Sequence, residues 1–252
     1  MTTHDTSPTT AGRAPGAGAA AGGGTGATDA APVPSSAPAT RVRPQPRGWA
    51  LAGIAAGLTG LVGIQASMAL GVNWEETAGD ADAIVADLSG RTGALLVFHT
   101  ATIVSALLAV VFAAGLSRRL SQQAPAGSLL GPVAGAGLLL VSVAGLLGSG
   151  LDTQFMFGFA DVDLIVPESG AFFSDWIATI PWLWVGAGLS GVAVAVAALR
   201  HAAAPRWLGW VGAVLGGLTL LLGISPLQYM AGFTGPLWLL VTAIGFAAGD
   251  RR

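Results

Sequence analysis

The chain contains no cysteine and no lysine, and only 10% of its 252 residues are charged. The absence of cysteine excludes disulfides, iron–sulfur clusters, thiolate metal sites and cysteine nucleophiles. A soluble domain carries about 25% charged residues, so the low charge argues against that class. Hydrophobic residues make up 53% of the chain, and this composition indicates a membrane protein.

Basic residues are too few and too dispersed for a nucleic-acid-binding surface. The net charge is −2, and no basic stripe is present that could neutralise phosphates. The three histidines, His4, His99 and His201, lie far apart in the sequence, which argues against bis-histidine haem. No calcium loop of the D-x-D-x-D-G type occurs. We therefore expect no nucleic-acid partner, no cofactor and no metal site.

Residues 1–47 differ in composition from the rest of the chain. They consist mainly of Ala, Gly, Thr, Pro and Ser, and they contain no aromatic residue. Such a segment cannot bury enough apolar surface to offset the entropy of ordering its backbone. We predict a disordered tail, with a partner-binding arm as the alternative.

Six apolar runs follow, each long enough to cross a bilayer, which takes about 20 helical residues. The last two runs are separated at a tight turn around Ser225, Pro226 and Leu227, because their combined length is too great for one span. The predicted spans are residues 48–72, 93–116, 129–151, 176–199, 207–225 and 229–248. The sequence thus predicts an all-α fold, a six-transmembrane-helix bundle over residues 48–252 with a disordered N-terminal tail.

The positions of arginine predict the orientation of this bundle. With six spans, one side of the membrane receives nearly all of the arginines near the span ends, and the other receives only Arg91. The arginines on the first side are Arg41, Arg43, Arg47, Arg118, Arg119, Arg200, Arg206, Arg251 and Arg252. The positive-inside rule then places both termini in the cytoplasm of a multi-pass plasma-membrane protein.

The opposite side is acidic. Its two long loops carry Glu75, Glu76, Asp80, Asp82 and Asp87 in the first, and Asp152, Asp161, Asp163, Glu168 and Asp175 in the second. A solvated acidic surface is the simpler interpretation, and a cation-attracting surface is the alternative. The pattern of residues 80–90 also fits a short amphipathic helix lying on that surface.

Small residues recur at three- and four-residue steps along several spans, for example Gly53, Gly57 and Gly60 in the first and Gly209, Gly212 and Gly216 in the fifth. In lipid, close backbone approach over small residues drives helix association. The pattern favours a compact bundle. Trp49, Trp74, Trp176, Trp207 and Trp210 lie near the predicted span ends, where indole rings anchor at the interface.

Polar side chains inside the predicted spans are the best pointers to function, and they gather in the outer third of the bundle. The candidate ligand-binding residues are His99, Asp152, Gln65, Gln228 and Tyr229, with Ser149 and Thr100 nearby. One interpretation is an outward-facing chamber centred on His99 with Asp152 as its partner. The alternative is structural, with His99 hydrogen-bonded to a neighbouring helix. The helical period turns Gln65 away from the small-residue face of its own span.

The string Gly188-Leu189-Ser190-Gly191 on the fourth span is similar to the serine motif of rhomboid intramembrane proteases. A serine nucleophile needs a general base within hydrogen-bond reach. The sixth span, which supplies the rhomboid histidine, contains none here, and His99 lies at another depth. We therefore name no catalytic residue and favour a protein that is not an enzyme.

Three functions remain open. The first is a non-enzymatic membrane component that binds a lipid, a small molecule or a protein partner at its outer end. The second is a small transporter or permease subunit that uses His99 and Asp152 in an outward chamber. The third is a membrane-embedded enzyme acting on a lipid, with His99 and a carboxylate as acid and base.

The segment Pro205-Arg206-Trp207-Leu208-Gly209-Trp210, the run Leu237-Trp238-Leu239-Leu240-Val241 and the span ending Gly115-Leu116-Ser117-Arg118-Arg119-Leu120 carry a resemblance. They resemble uncharacterised multi-pass membrane proteins of high-GC actinobacteria that share a domain of unknown function. The resemblance covers about the last third of the chain and the end of the second span. It implies about six helices in the plasma membrane and no known activity.

Overall fold

A computed structural model describes residues 47–179 and 183–249. The predicted tail, apart from Arg47, and the residues Arg41, Arg43, Arg251 and Arg252 lie outside the described residues. Within the described ranges the regular structure is helical, and no strand occurs. In chain order the α-helices are α1 (Gly48–Ala69), α2 (Trp74–Thr77), α3 (Ala81–Ser89), α4 (Thr92–Gln123), α5 (Leu130–Gly148), α6 (Asp152–Ala160), α7 (Pro167–Thr179), α8 (Val185–His201), α9 (Arg206–Val211), α10 (Gly217–Gly223) and α11 (Ala231–Gly249).

Six apolar helical segments confirm the predicted fold class. Five helical segments are long and apolar enough to cross a membrane, namely Gly48–Ala69, Thr92–Gln123, Leu130–Ala160, Arg206–Gly223 and Gln228–Gly249. The sixth, α8, is a shorter apolar helix of 17 residues. A π-helical turn at Gly212–Gly216 joins α9 to α10, so the fifth predicted span is one continuous helical segment.

The predicted start of the fourth span, residue 176, is wrong. Trp176 belongs to α7, a separate helix, and the span itself begins at Val185. The buried residues of α7, Gly170, Phe173 and Ile177, recur at three- and four-residue steps. That spacing makes α7 amphipathic, and it packs against α3 instead of continuing into the span.

The apolar helices close into a ring. Each packs on the next in the order α1, α4, α5, α8, α10 and α11, and α11 returns to α1. Successive helices are therefore neighbours with alternating direction. One end of the bundle, called here the arginine end, carries Arg47, Arg118, Arg119, Arg200 and Arg206. The opposite end is called the cap end.

The small residues of α1 lie where neighbouring helices cross. A Cβ atom added to Gly57 would lie 2.7 Å from the Cβ of Leu240 and 2.8 Å from its backbone, and one added to Gly60 would lie 2.9 Å from Trp184. On the other side of the ring, a Cβ on Gly212 would lie 2.5 Å from the carbonyl oxygen of Gly191. These contacts confirm that the glycine pattern reports close packing between helices.

The expectation that Trp49 lies at the interface is wrong. Its side chain is buried in the bundle core, where its ring stacks on Phe112 at a centroid distance of 5.4 Å and contacts Phe246. Gly115 makes room for the indole, because a Cβ there would lie 2.4 Å from the ring. Trp74, Trp207 and Trp210 are exposed near the ends of the helices, as expected for interfacial anchors.

The helices α2, α3, α6 and α7 pack together at the cap end of the bundle and are called here the helical cap. Its apolar core also includes Leu95 and Phe98 of α4. Phe155, Phe159 and Phe173 are buried at its centre, and the rings of Phe155 and Phe173 stack at 4.2 Å. The predicted amphipathic helix at residues 80–90 is confirmed as α3, whose start is capped by Asp80 accepting from Ala83 N at 3.0 Å. The sequence does not predict the helical cap, because the many acidic residues in these segments are typical of solvated loops.

Candidate functional site

The long helix α4 contains both His99 and Arg118, so the distance between them along the helix axis can be calculated. Its rise of 1.5 Å per residue puts His99 about 28 Å from Arg118 along the helix axis. The apolar core of a bilayer is about 30 Å thick. A bilayer core with one boundary at Arg118 would have its other boundary near His99, and about two turns at the start of α4 would project beyond it.

His99 and Asp152 meet at this level. The Nδ1 atom of His99 lies 3.2 Å from Oδ2 of Asp152, across the contact between α4 and the start of α6. The side chain of His99 is 21% exposed, whereas that of Asp152 is fully buried. When the carboxylate is ionised it can only accept, so that Nδ1–H donates, and the other ring nitrogen, Nε2, takes no part in this contact.

The Asp152 carboxylate is therefore shielded from solvent, and its Oδ2 atom contacts His99. Its second oxygen, Oδ1, is buried and has no hydrogen-bond partner within the described part of the chain. The same holds for the hydroxyl of Ser149, three residues earlier. A buried polar atom without a hydrogen-bond partner lowers the stability of the folded state. The end of α5 therefore carries two polar atoms whose hydrogen-bonding capacity is not used within the described residues.

The structure separates the other predicted site residues from this pair. Tyr229 lies beside the end of α1, where its hydroxyl is 3.1 Å from the Oγ of Ser67. Gln228 is half-buried in the short 3-10 turn that precedes α11. Gln65 is exposed on α1, on the side away from the helix contacts, as its helical position predicts. The five residues therefore form two groups and one outlier at the cap end.

An interior cavity lies between α1, α4, α5 and the residues before α8. Its volume is about 30 Å³, and its lining includes Gly60, Thr102, Ser105, Gly145 and Trp184. A buried water needs about 10–15 Å³ of such space, so about two or three waters would fill it. None of the five predicted site residues lines it.

Ser190, the residue in the rhomboid-like string, is a structural side chain. It is fully buried on α8, and its hydroxyl donates to the carbonyl oxygens of Ala134 at 2.8 Å and Gly186 at 3.2 Å. A serine that bridges α8 to α5 in this way is not poised as a nucleophile. The geometry agrees with the sequence argument against a rhomboid-type protease.

Comparison of the chain with protein-family models, with curated proteins and with solved structures gives no match. In addition, the described residues contain no group of three or more His, Cys, Asp or Glu side chains arranged to hold a metal ion. The chemistry of the site therefore depends on the His99–Asp152 pair and its surroundings.

Proposed function

We propose that the protein is a non-enzymatic component of the plasma membrane that binds a lipid at its outer end through His99. One observation carries the proposal: the side chain of His99 stays partly exposed while its Nδ1 atom contacts the buried carboxylate of Asp152. Intramembrane histidines of this kind are functional candidates by default. Asp152 is a positioning residue in this proposal, and His99 makes the contact.

The surroundings of His99 suit a lipid better than a soluble molecule. Leu96, one helical turn before His99 on α4, is 52% exposed, and Leu147 near the end of α5 is 69% exposed. Acyl chains could lie along these side chains while the headgroup meets the imidazole. A neutral ring whose Nδ1–H donates to Asp152 presents Nε2 as an acceptor, which suits a hydroxyl or amine donor of the headgroup.

The two alternatives receive less support. A transporter needs a path through the bundle, but the interior cavity has room for only about two or three waters. An enzyme that used Asp152 as an acid or base would need to bring that side chain to a substrate, and Asp152 is fully buried. A binding role requires only the exposed part of His99.

The charge distribution supports an orientation with both termini in the cytoplasm. The arginine end would face the cytoplasm by the positive-inside rule, and the helical cap would lie outside. Arg91, the exception, is tied into the cap by local bonds. It pairs with Asp87 at 2.6 Å and donates to the carbonyl oxygens of Gly71 at 2.7 Å and Ala69 at 3.2 Å.

Native mass spectrometry of protein extracted in a mild detergent tests the proposal. We expect a discrete co-purified lipid mass on the wild-type protein that is lost in His99→Ala and weakened in Asp152→Asn. The matched control is Gln65→Ala, which removes an exposed polar side chain from α1 and should leave the lipid bound. The same mixed lipids on all four proteins, or none on any, would overturn the proposal.

A second readout separates positioning by Asp152 from general stability. In protein labelled with ¹⁵N-histidine, the His99 nitrogen shifts report which ring nitrogen carries the proton. Asp152→Asn should change that tautomer while circular dichroism shows that the helices are retained. An unchanged His99 spectrum in Asp152→Asn would show that the carboxylate does not set the imidazole, and Asp152 would lose its assigned role.

A further inference from the structure

The apolar segment Leu130–Ala160 is continuous in hydropathy but not in structure. Its length of 31 residues exceeds what one crossing needs, and the helix ends at Gly148 and restarts at Asp152. The turn is held by Gly150 N donating to Leu147 O at 3.1 Å and by Asp152 N donating to Ser149 O at 3.2 Å. Interrupted helices at membrane depth are tolerated where their freed polar groups find partners.

At this interruption two side-chain oxygens have no partner. Ser149 Oγ and Asp152 Oδ1 are both buried, with residue exposures of 2% and 0%, and neither is hydrogen-bonded within residues 47–179 and 183–249. The other carboxylate oxygen of Asp152, Oδ2, is engaged by His99. The buried serine hydroxyl and the buried carboxylate oxygen on this short turn therefore each call for a partner that the described residues do not supply.

The electrostatics of the turn favour a cation. The carboxyl-terminal end of α5 presents the negative pole of that helix, and the Asp152 carboxylate lies just beyond it, in the first turn of α6. The positive pole of α6 and the contact with His99 offset part of the carboxylate charge. Arg91, the arginine at the cap end, is already engaged by Asp87 and by two carbonyl oxygens. In transporters with interrupted helices, the carboxyl-terminal ends of half-helices and unwound carbonyls coordinate Na⁺.

The available donors limit the kind of cation. The unpartnered atoms are oxygens, the donors that hard cations prefer. A Ca²⁺ site uses six to eight oxygens and usually several carboxylates, whereas Asp152 is the only carboxylate on this turn. One carboxylate balances one positive charge.

We propose that the turn between α5 and α6 binds a monovalent cation, with Ser149 Oγ and Asp152 Oδ1 as side-chain ligands and Na⁺ as the probe. This site shares Asp152 with the proposed lipid contact, but it uses Oδ1, whereas Oδ2 contacts His99. Bound cation would join the end of α5 to the start of α6 and thereby hold the helical cap on the bundle.

Thermal unfolding of the full chain in nanodiscs of uncharged phospholipid tests the site. Intrinsic tryptophan fluorescence is followed while NaCl replaces choline chloride from 0 to about 100 mM at constant ionic strength. Because a ligand that binds only the folded state stabilises it by mass action, we expect a saturable rise in melting temperature of about 3 °C. KCl in place of NaCl provides the second monovalent ion.

Two variants and a matched control assign the response. Ser149→Ala and Asp152→Asn should abolish the difference between Na⁺ and choline. Ser142→Ala, on the same helix, removes a buried hydroxyl that already donates to Leu138 O at 3.0 Å, and it should keep the response. If Asp152→Asn does not fold, Ser149→Ala decides, since it removes only one oxygen.

Each outcome supports or overturns the cation site. A saturable response to Na⁺ or K⁺ that disappears in Ser149→Ala supports it. The absence of any response beyond choline, or a response that persists in Ser149→Ala, overturns it and leaves the two oxygens as a site for water. Ser149 has no hydrogen bond to His99, so lipid retention in Ser149→Ala distinguishes failure of the cation site from failure of lipid binding.

Discussion

Asp152 is fully buried, and the histidine that it contacts at 3.2 Å, His99, keeps about one-fifth of its side chain exposed. The two residues belong to α4 and α6, so their contact ties the bundle to the helical cap. Breaking one half of such a pair is costlier than removing both, because a buried carboxylate is left without its partner.

A double-mutant cycle measures that asymmetry. We expect His99→Ala and Asp152→Ala each to lower the free energy of unfolding, with a coupling energy of about 1–3 kcal/mol between them. The double variant should be clearly more stable than the sum of the single losses predicts. Reversible unfolding in mixed micelles gives the four free energies. Strict additivity would mean that the contact contributes no stability.

The glycine contacts of α1 predict a sharp difference between two alanine substitutions. In Gly57→Ala the new Cβ would meet both the Cβ and the backbone of Leu240 within 2.8 Å, so the helices must separate. We expect a loss of about 1–3 kcal/mol, as for other overpacked sites. The control is Gly217→Ala on α10, where nothing lies within 4 Å of the new Cβ. Equal melting temperatures for the two variants would contradict close packing at Gly57.

Two adjacent phenylalanines of α7 test the core of the helical cap. Phe173 is fully buried and stacks on Phe155 at 4.2 Å, whereas Phe172 is 57% exposed. Phe173→Ala should destabilise the cap by about 3–5 kcal/mol, and Phe172→Ala should change it little. Hydrogen exchange of α3, α6 and α7 reports the effect separately from the bundle. Similar protection in both variants would argue against a packed cap core.

The contacts of Arg91 should stabilise the chain just after the end of α1. Its guanidinium donates to the carbonyl oxygens of Ala69 and Gly71 and to Asp87, and it is partly exposed. An exposed ion pair contributes little, so the carbonyl contacts should dominate. We expect Arg91→Ala to speed proteolysis of the α1–α4 connection several-fold, and Asp87→Asn to have a smaller effect. The reverse order would show that the ion pair is the main contact.

Several features of the fold follow from the sequence alone because they are local. Bilayer-length apolar runs predict the six apolar segments, and the alternation of small residues predicts where helices approach closely. Asp80 and the pattern after it predict α3. The start of the fourth span could not be predicted from hydropathy, because α7 is apolar enough to read as its first part. In the structure Phe173 and Ile177 pack into the cap, and α7 ends at Thr179, before α8 begins at Val185.

The candidate site shows the same division. The sequence by itself determined which polar residues lie near one end of the spans, since helical rise converts position into depth. It could not determine which of them meet. Contact between His99 and Asp152, 53 positions apart, depends on how α4 packs against the turn after α5. The burial of Trp49, the separation of Tyr229 from His99 and the unpartnered oxygens of Ser149 and Asp152 were decided by tertiary structure, because helix rotation and crossing are set by all neighbours together.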